Sequence, residues 1–150
     1  MTTIFLLDAS ILGAVTNPKT NNLTVRECQS WFDRCLEKST IFVLPEIADY
    51  EIRRELIRAN KINGITRLDR LKSILQYQPI DTQTMILAAQ LWAESRQRGT
   101  PTCDPRELDG DVILAAQAKQ LEALGYEIII VTTNIGHLSQ FVTAKLWQNC

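Results

Sequence analysis

The stretch "IFLLDAS", residues 4–10, decides the fold class of this chain. Four consecutive apolar residues, Ile4 to Leu7, predict a β-strand that is buried on both faces. The run ends at Asp8, whose carboxylate has two explanations. It can cap a helix that begins at Ala9, because Asp accepts hydrogen bonds from the unpaired N–H groups of a first turn. It can equally serve a binding site, because ligands of open α/β sheets lie at the carboxyl ends of the strands.

Strands and helices alternate along the rest of the sequence. Apolar runs predict further strands at 40–45, 78–80, 126–134 and 144–148, and apolar residues at helical spacing predict helices at 23–39, 46–61, 64–76, 81–99 and 111–125. Loops are expected at 17–22 and 100–110. This alternation indicates βαβ units, so we predict a parallel-sheet α/β/α sandwich in which residues 1–150 form a single domain.

The composition is that of an ordinary globular protein, with 45% hydrophobic and 22% charged residues. No apolar stretch approaches the roughly 20 residues of a membrane span, and the first residues do not have the pattern of a secretion signal. We therefore expect a cytoplasmic protein that does not associate with a membrane. Cys28 and Cys35 are seven residues apart, which places them on one face of a predicted helix. The cysteine spacing does not indicate a zinc site.

Polar residues occur where several of these strands end or the next helix begins. Asp8 follows the first strand, Glu51 lies in the helix after the second strand, Asp109 and Asp111 open the helix before the last long strand, and Asn134 follows that strand. Because the carboxyl ends of parallel strands share one edge of a sheet, these oxygens can converge there. Carboxylate and amide oxygens are ligands for hard cations such as Mg²⁺ and Mn²⁺. Each residue also has a local explanation as a helix cap, an ion-pair partner or a turn residue.

Positive charge is concentrated between Arg53 and Lys72, where seven basic residues occur with only two acidic ones. The whole chain has a net charge of −1, so this excess is local. A local basic surface attracts phosphate groups, although a pair of solvated helices explains the same pattern.

The order of these features resembles the PIN domain, a family of small metal-dependent ribonucleases that includes the toxins of VapBC toxin–antitoxin systems. Three segments carry the resemblance: "LLDAS" at 6–10, "RQRGTPT" and then "LDGDVILAAQA" within 96–118, and "VTTNIGHL" at 131–138. The resemblance extends over nearly the whole chain, from Ile4 to about Trp147. Each segment is a weak motif by itself, and their order and spacing are the more specific signal.

The resemblance implies a role for each acidic position. Asp8 corresponds to the central metal ligand of the family and Glu51 to the second carboxylate. Asp111 corresponds to the third carboxylate, because it precedes "LAA" by three residues. The hydroxyl groups of Ser10 and Thr132 correspond to those that support this cluster. The resemblance therefore implies a site that holds Mg²⁺ or Mn²⁺, with one or two ions.

The chain departs from the family pattern in two places. Asn134 stands where the family often has a fourth acid, so a second ion should be held more weakly. The loop before the third acid is longer than usual, which makes Asp104 and Glu107 alternative ligands. Asp109 is a further alternative to Asp111, because it lies two residues away.

From the resemblance we expect an endoribonuclease that hydrolyses RNA phosphodiester bonds, with an antitoxin protein and a second copy of the chain as further partners. The residues expected to contact RNA are Arg53, Arg54, Arg58 and Lys61. The alternative is a PIN-like module that binds nucleic acid or protein with little or no catalysis, which the neutral Asn134 favours. Phosphotransfer on Asp8, as in haloacid-dehalogenase-like enzymes, is disfavoured because Ser10 stands where those enzymes commonly have a second Asp.

Overall fold

The computed structural model describes the backbone of residues 1–18, 20–98 and 105–150, and the side chains of these residues outside 105–108. These ranges contain five strands and six α-helices, with short 3₁₀ turns at Leu138–Gln140 and Trp147–Asn149. In chain order the elements are β1 (Thr3–Leu7), α1 (Ala9–Thr16), α2 (Leu23–Glu37), β2 (Phe42–Pro45), α3 (Glu46–Arg58), α4 (Ile62–Ile74), β3 (Gln76–Gln78), α5 (Thr82–Gln97), α6 (Pro105–Ala123), β4 (Glu127–Thr132) and β5 (Ala144–Leu146).

The strands of the described ranges form one parallel sheet in the order β3-β2-β1-β4-β5. β1 lies at the centre, where Leu6 is opposite Val43 of β2 and Ile130 of β4. The chain extends the sheet from β1 to β3 on one side and then adds β4 and β5 on the other side. The connections from β1 and from β4 therefore lead to opposite edges of the sheet, although all strands run parallel. Open α/β sheets bind ligands at such a switch point in strand order. The predicted fold class, an α/β protein with a parallel sheet, is confirmed.

Helices cover both faces of the sheet and create two hydrophobic layers. Ile4 and Leu6 of β1 pack on one face, in a layer that includes α5 and α6. Leu7 packs on the opposite face, in a layer that includes α1, α2 and α4. Because both faces are buried, the central strands carry continuous apolar runs rather than an alternating pattern.

One helix is missing from the predicted set, and two predicted boundaries are wrong. Helix α1, which entered only as the helix that Asp8 could cap, was not predicted from periodicity, because its sequence is apolar on nearly every side and therefore has no stripe at helical spacing. Helix α6 begins at Pro105 rather than at residue 111, so 105–110 is not a loop. Proline suits the first position of a helix, where its missing N–H has no intrahelical partner to lose. Strand β3 occupies Gln76–Gln78 instead of 78–80 and is polar, as an edge strand can be. The predicted loop residues 100–104 lie outside the described ranges.

The remaining elements agree with the prediction to within a few residues. Cys28 and Cys35 both lie on α2, and Cys28 is buried in the core. Trp31 and Trp147 are buried with their ring centroids 6.0 Å apart. None of the helices in the described ranges is both long enough and apolar enough to cross a membrane.

Candidate metal centre

Asp8 lies at the switch point of the sheet, directly after β1. Its backbone N–H donates to the carbonyl oxygen of Val131 at 3.2 Å, which ties it to the neighbouring strand β4. Its Oδ1 accepts hydrogen bonds from the N–H groups of Ser10 at 2.8 Å and Ile11 at 3.3 Å, and so caps α1. Both explanations of this residue therefore apply: it is a helix cap, and it lies at the ligand-binding edge of the sheet.

Two hydroxyl groups join Asp8 to the end of β4. The Ser10 hydroxyl donates to Oδ1 of Asp8 and accepts a hydrogen bond from the N–H of Thr133 at 3.0 Å. Thr132 is buried at the end of β4. Burial raises the pKa of Asp8 above its ordinary value, and the hydrogen bonds from Ser10 and the nearby hydroxyl of Thr132 oppose that rise. The site thus holds an aspartate in surroundings that disfavour its negative charge.

Glu51 brings a second carboxylate from α3, the helix that follows β2 directly. The pKa of Glu51 is raised, first by burial and then by the negative charges of Asp111 and Asp8, while Arg54 opposes the rise. Glu51 is therefore near enough to two other acids, one at the end of β1 and one on α6, for their charges to disfavour its own. A carboxylate whose charged form is disfavoured by burial and by neighbouring acids is common at functional sites.

Helix α6 packs close to the side chain of Glu51 at Gly110. A Cβ atom added at Gly110 would lie 3.0 Å from Oε2 and 3.3 Å from Oε1 of Glu51, closer than an ordinary contact. A larger residue at this position would displace the carboxylate. Gly110 therefore allows α3 and α6 to pack with the carboxylates of Glu51 and Asp111 near each other.

The two acids of α6 differ in exposure. Asp111 is half-buried and affects the pKa of Glu51, whereas Asp109 is exposed and lines a depression together with Glu51 and Gly110. The choice of Asp111 over Asp109 as a metal ligand stays a prediction. Asp104 and the side chain of Glu107 lie outside the described residues.

The donor set has the chemistry of a Mg²⁺ or Mn²⁺ site. Among the described side chains, no three from His, Cys, Asp and Glu are arranged so that together they could hold an ion. Mg²⁺ is usually bound through one or two carboxylates and keeps several waters, so a closed set of three protein ligands is not required. One or two of Asp8, Glu51 and Asp111 could supply these carboxylates, with the others acting through water, and a divalent cation would offset the negative charges of Asp8 and Asp111 that act on Glu51. That these residues bind an ion stays a prediction.

Asn134 serves a turn after β4. Its side-chain oxygen accepts a hydrogen bond from the N–H of Gly136 at 3.1 Å. The Thr132 hydroxyl donates to the carbonyl oxygen of Asn134 at 3.0 Å and accepts from its N–H at 3.1 Å. Thr132 and Asn134 therefore shape the loop beside Asp8, and a direct role of Asn134 toward an ion stays a prediction.

The four basic residues predicted to contact RNA have different surroundings. Arg53 forms ion pairs of 2.8 Å with Asp49 on its own helix and with Asp69 on α4, so the protein itself balances its charge. Arg58 pairs with Glu55 at 2.8 Å on the surface. The guanidinium of Arg54 lies over the ring of Tyr50, with its central carbon 5.1 Å from the ring centroid. Lys61 is exposed immediately before α4.

Two residues that shape the site, Gly110 and Tyr50, were not predicted from the sequence. Gly110 was read only as part of a loop, although a glycine between Asp109 and Asp111 could have suggested a close approach of another element. Tyr50 is exposed directly before Glu51, and sequence alone does not indicate which aromatic residues remain at the surface.

Comparisons with known proteins identify the fold. No protein-family model and no curated protein matches the sequence. Among solved structures, a chain of VapBC2 from Rickettsia felis bound to a promoter DNA fragment is 17% identical, with a TM-score of 0.70 over 96% of this chain and 98% of that chain. A chain of FitAcB from Neisseria gonorrhoeae is 21% identical, with a TM-score of 0.67 over 97% and 99%. A chain of DNA-bound VapBC from Salmonella typhimurium is 21% identical, with a TM-score of 0.63 over 98% and 99%.

The similarity to these structures covers nearly the whole chain and concerns the fold. The fold expected from the resemblance stated above is confirmed, because chains of VapBC complexes share it over nearly their whole length. At such identities the chemistry must be argued from this chain's own residues, because one fold can host unrelated functions.

Proposed function

We propose that this chain is a Mg²⁺- or Mn²⁺-dependent endoribonuclease and the toxin of a toxin–antitoxin pair. One observation carries the proposal: α6 approaches the carboxylate of Glu51 so closely at Gly110 that an added Cβ would lie 3.0 Å from Oε2, and the charges of Asp111 and Asp8 both act on this carboxylate. The fold shared with chains of VapBC complexes supports it.

Each residue of the cluster has a distinct task in this proposal. Asp8, Glu51 and Asp111 would hold the cation, either directly or through its waters. A bound divalent cation would lower the pKa of a water nucleophile and neutralise charge that develops on the phosphodiester. Ser10 orients Asp8 through its hydroxyl and joins it to β4, while Thr132 holds the loop that borders the site.

The structural neighbours also support a protein partner. Several of them are VapBC assemblies, and two of these are described as bound to DNA. We infer that this chain pairs with an antitoxin protein that restrains its activity. A homodimer and a cytoplasmic location remain expectations of the same proposal.

The decisive experiment is cleavage of a structured RNA by the purified protein in Mn²⁺ or Mg²⁺, with EDTA as the first control. Glu51→Gln and Asp8→Asn should each abolish cleavage. Glu55→Gln is a matched control, because Glu55 lies on the same helix, is exposed and pairs with Arg58. Cleavage that persists in EDTA or in Glu51→Gln would contradict the proposal and point to a contaminating nuclease.

A second candidate, a PIN-like binding module, is favoured by one observation. No three potential ligands among the described residues are arranged to hold an ion together, and Asn134 adds no charge. This candidate predicts intact RNA under all the conditions above. It also predicts that Mn²⁺ does not change the melting temperature of the folded protein.

A further inference from the structure

A second depression leads away from the carboxylate cluster along α3. The first depression contains Glu51, Asp109 and Gly110 and has a volume of about 530 Å³. The second, of about 480 Å³, extends toward Lys72 and Tyr77. Both are lined by Ile47, Tyr50 and Arg54, so the two depressions adjoin at these side chains. A chain bound at the carboxylates could therefore pass over these side chains into the second depression.

The junction of the two depressions contains an exposed aromatic ring with a cation beside it. Tyr50 is 55% exposed and lies one residue before Glu51. The guanidinium of Arg54 lies over this ring, 5.1 Å from its centroid. Arg54 also lowers the pKa of Glu51 by its charge, so it is near both the ring and the carboxylate cluster. Aromatic rings and guanidinium planes are the surfaces on which unpaired bases stack.

The second depression repeats this combination of ring and cation. The ammonium nitrogen of Lys72 lies 4.6 Å from the ring centroid of Tyr77. Its two acids are already engaged within the protein: Glu46 accepts hydrogen bonds from the Tyr77 hydroxyl at 3.0 Å and from the N–H of Ile80 at 2.7 Å. Asp49 is bound to Arg53. The groove therefore offers aromatic surface and positive charge, which complement the bases and phosphates of a single strand.

We propose that Tyr50 and Arg54 form a base-stacking subsite that binds one unpaired nucleotide of an RNA strand next to the bond that is cut. The strand continues through the second depression, where Lys72 attracts its phosphate. The inference rests on the proposed function, because it takes the carboxylate cluster as the place of cleavage. The subsite positions the substrate and does not take part in the chemical step.

The test combines cleavage with direct binding. KM and kcat are measured on a single-stranded RNA oligomer in Mn²⁺ for the wild type, Tyr50→Phe, Tyr50→Ala and Tyr126→Ala. Tyr126 is the matched control, because it is a partly exposed tyrosine that precedes β4, at the opposite end of the sheet from Asp8. The Kd of the same labelled oligomer is then measured by fluorescence anisotropy on Glu51→Gln protein with and without Tyr50→Ala, so that binding is read without cleavage.

We expect Tyr50→Ala to raise KM and Kd about tenfold, in line with the loss of one stacked base, and to change kcat less than about twofold. Tyr50→Phe keeps the ring and should behave like the wild type, and Tyr126→Ala should have no effect. Replacing successive nucleotides with abasic ones should reveal one position whose loss weakens the wild type but not Tyr50→Ala. Because Tyr50 is exposed, Tyr50→Phe and Tyr50→Ala should melt at the temperature of the wild type.

The outcomes separate this inference from the proposed function. Cleavage by the wild type with a KM that Tyr50→Ala does not change would overturn the stacking subsite alone. The subsite would also be overturned if Tyr50→Phe raised KM and Kd as much as Tyr50→Ala, because the hydroxyl and not the ring would then bind the RNA. Tyr50-dependent binding without cleavage by the wild type would overturn the proposed function and support the subsite. No measurable RNA binding by any protein would overturn both.

Discussion

Gly110→Ala should raise the melting temperature of the metal-free protein and reduce the further rise in melting temperature that Mn²⁺ causes. In the interior of α6, alanine is favoured over glycine by about 1 kcal/mol, because glycine loses more backbone entropy on folding. The added Cβ would lie 3.0 Å from Oε2 of Glu51, so the carboxylate must move by a few tenths of an ångström. Since the contact is with the end of the flexible Glu51 side chain, most of the free energy that alanine adds to the helix should remain. We expect the metal-free protein to melt roughly 2 °C higher.

The same displacement should weaken metal binding. Loss of a supporting contact commonly reduces metal affinity by 10- to 100-fold, and we expect about tenfold for this small shift. At a fixed saturating Mn²⁺ concentration, a tenfold higher Kd removes about 1.4 kcal/mol of ligand-linked stability. That corresponds to about 3–5 °C less thermal stabilisation by Mn²⁺ than in the wild type.

The assay is thermal unfolding followed across a Mn²⁺ titration, with Gly13→Ala as the matched control. Gly13 lies in α1, and a Cβ there would meet a methyl carbon of Ile52 at 3.2 Å rather than a carboxylate. Gly13→Ala should therefore keep the Mn²⁺ midpoint of the wild type. An unchanged midpoint for Gly110→Ala would refute the placement of the ion beside Glu51. A large fall in the melting temperature of metal-free Gly110→Ala would refute the claim that the Glu51 side chain can move aside.

Four further predictions concern the surroundings of single residues. Thr132→Val removes the two hydrogen bonds between the Thr132 hydroxyl and the backbone of Asn134, and should cost about 1–3 kcal/mol in urea unfolding. Because Thr132 also opposes the rise in the pKa of Asp8, the change should raise the Mn²⁺ midpoint, whereas Thr143→Val on the surface should do neither. Burial raises the pKa of Cys28 to about 11 from 9.0, so above about pH 9 the unfolded thiol ionises first and stability falls as pH rises. This fall should be shallower in Cys28→Ala between pH 8 and 11, and equal slopes would contradict the assignment. Arg54→Glu should flatten the salt dependence of RNA binding by about 0.7 or more in log–log slope. It should also lower the melting temperature of the metal-free protein, because it replaces a cation that favours the charged form of Glu51 with a further acid. Arg53→Met should lower stability by about 1–3 kcal/mol, because it leaves the buried Asp49 without its partner.

The fold could be predicted from local patterns because burial on both faces leaves a clear trace in a strand. Ile4 to Leu7 and the run from Ile128 to Val131 have no polar residue, and the structure pairs them at the centre of the sheet. Helix α1 could not be found in this way. Its apolar residues meet neighbours on several sides, so the sequence has no polar face to indicate a helix.

The candidate site was predictable only in part, for a similar reason. The location of Asp8 could be predicted because it follows a buried strand, and such a residue lies at the carboxyl edge of the sheet in any parallel α/β fold. Whether Arg53 faces solvent or a carboxylate depends on α4 lying beside α3, and Asp69 is 16 residues further along the chain. No local pattern indicates a contact between residues so far apart in the sequence, so the sequence could not separate Arg53 from the other three residues predicted to contact RNA.

The order of the strands, their burial and the acids at their ends could be predicted from the sequence, because these features depend on hydrophobic period and on neighbours a few residues away. Which acids lie near each other depends on tertiary packing. The charges of Asp8 and Asp111 act on Glu51, and α6 packs closely on Glu51 at Gly110, which has no side chain to separate the two helices. Packing also leaves Tyr50 and Arg54 at the groove and binds Arg53 to the acids beside it, since neighbouring residues of a helix lie on different faces.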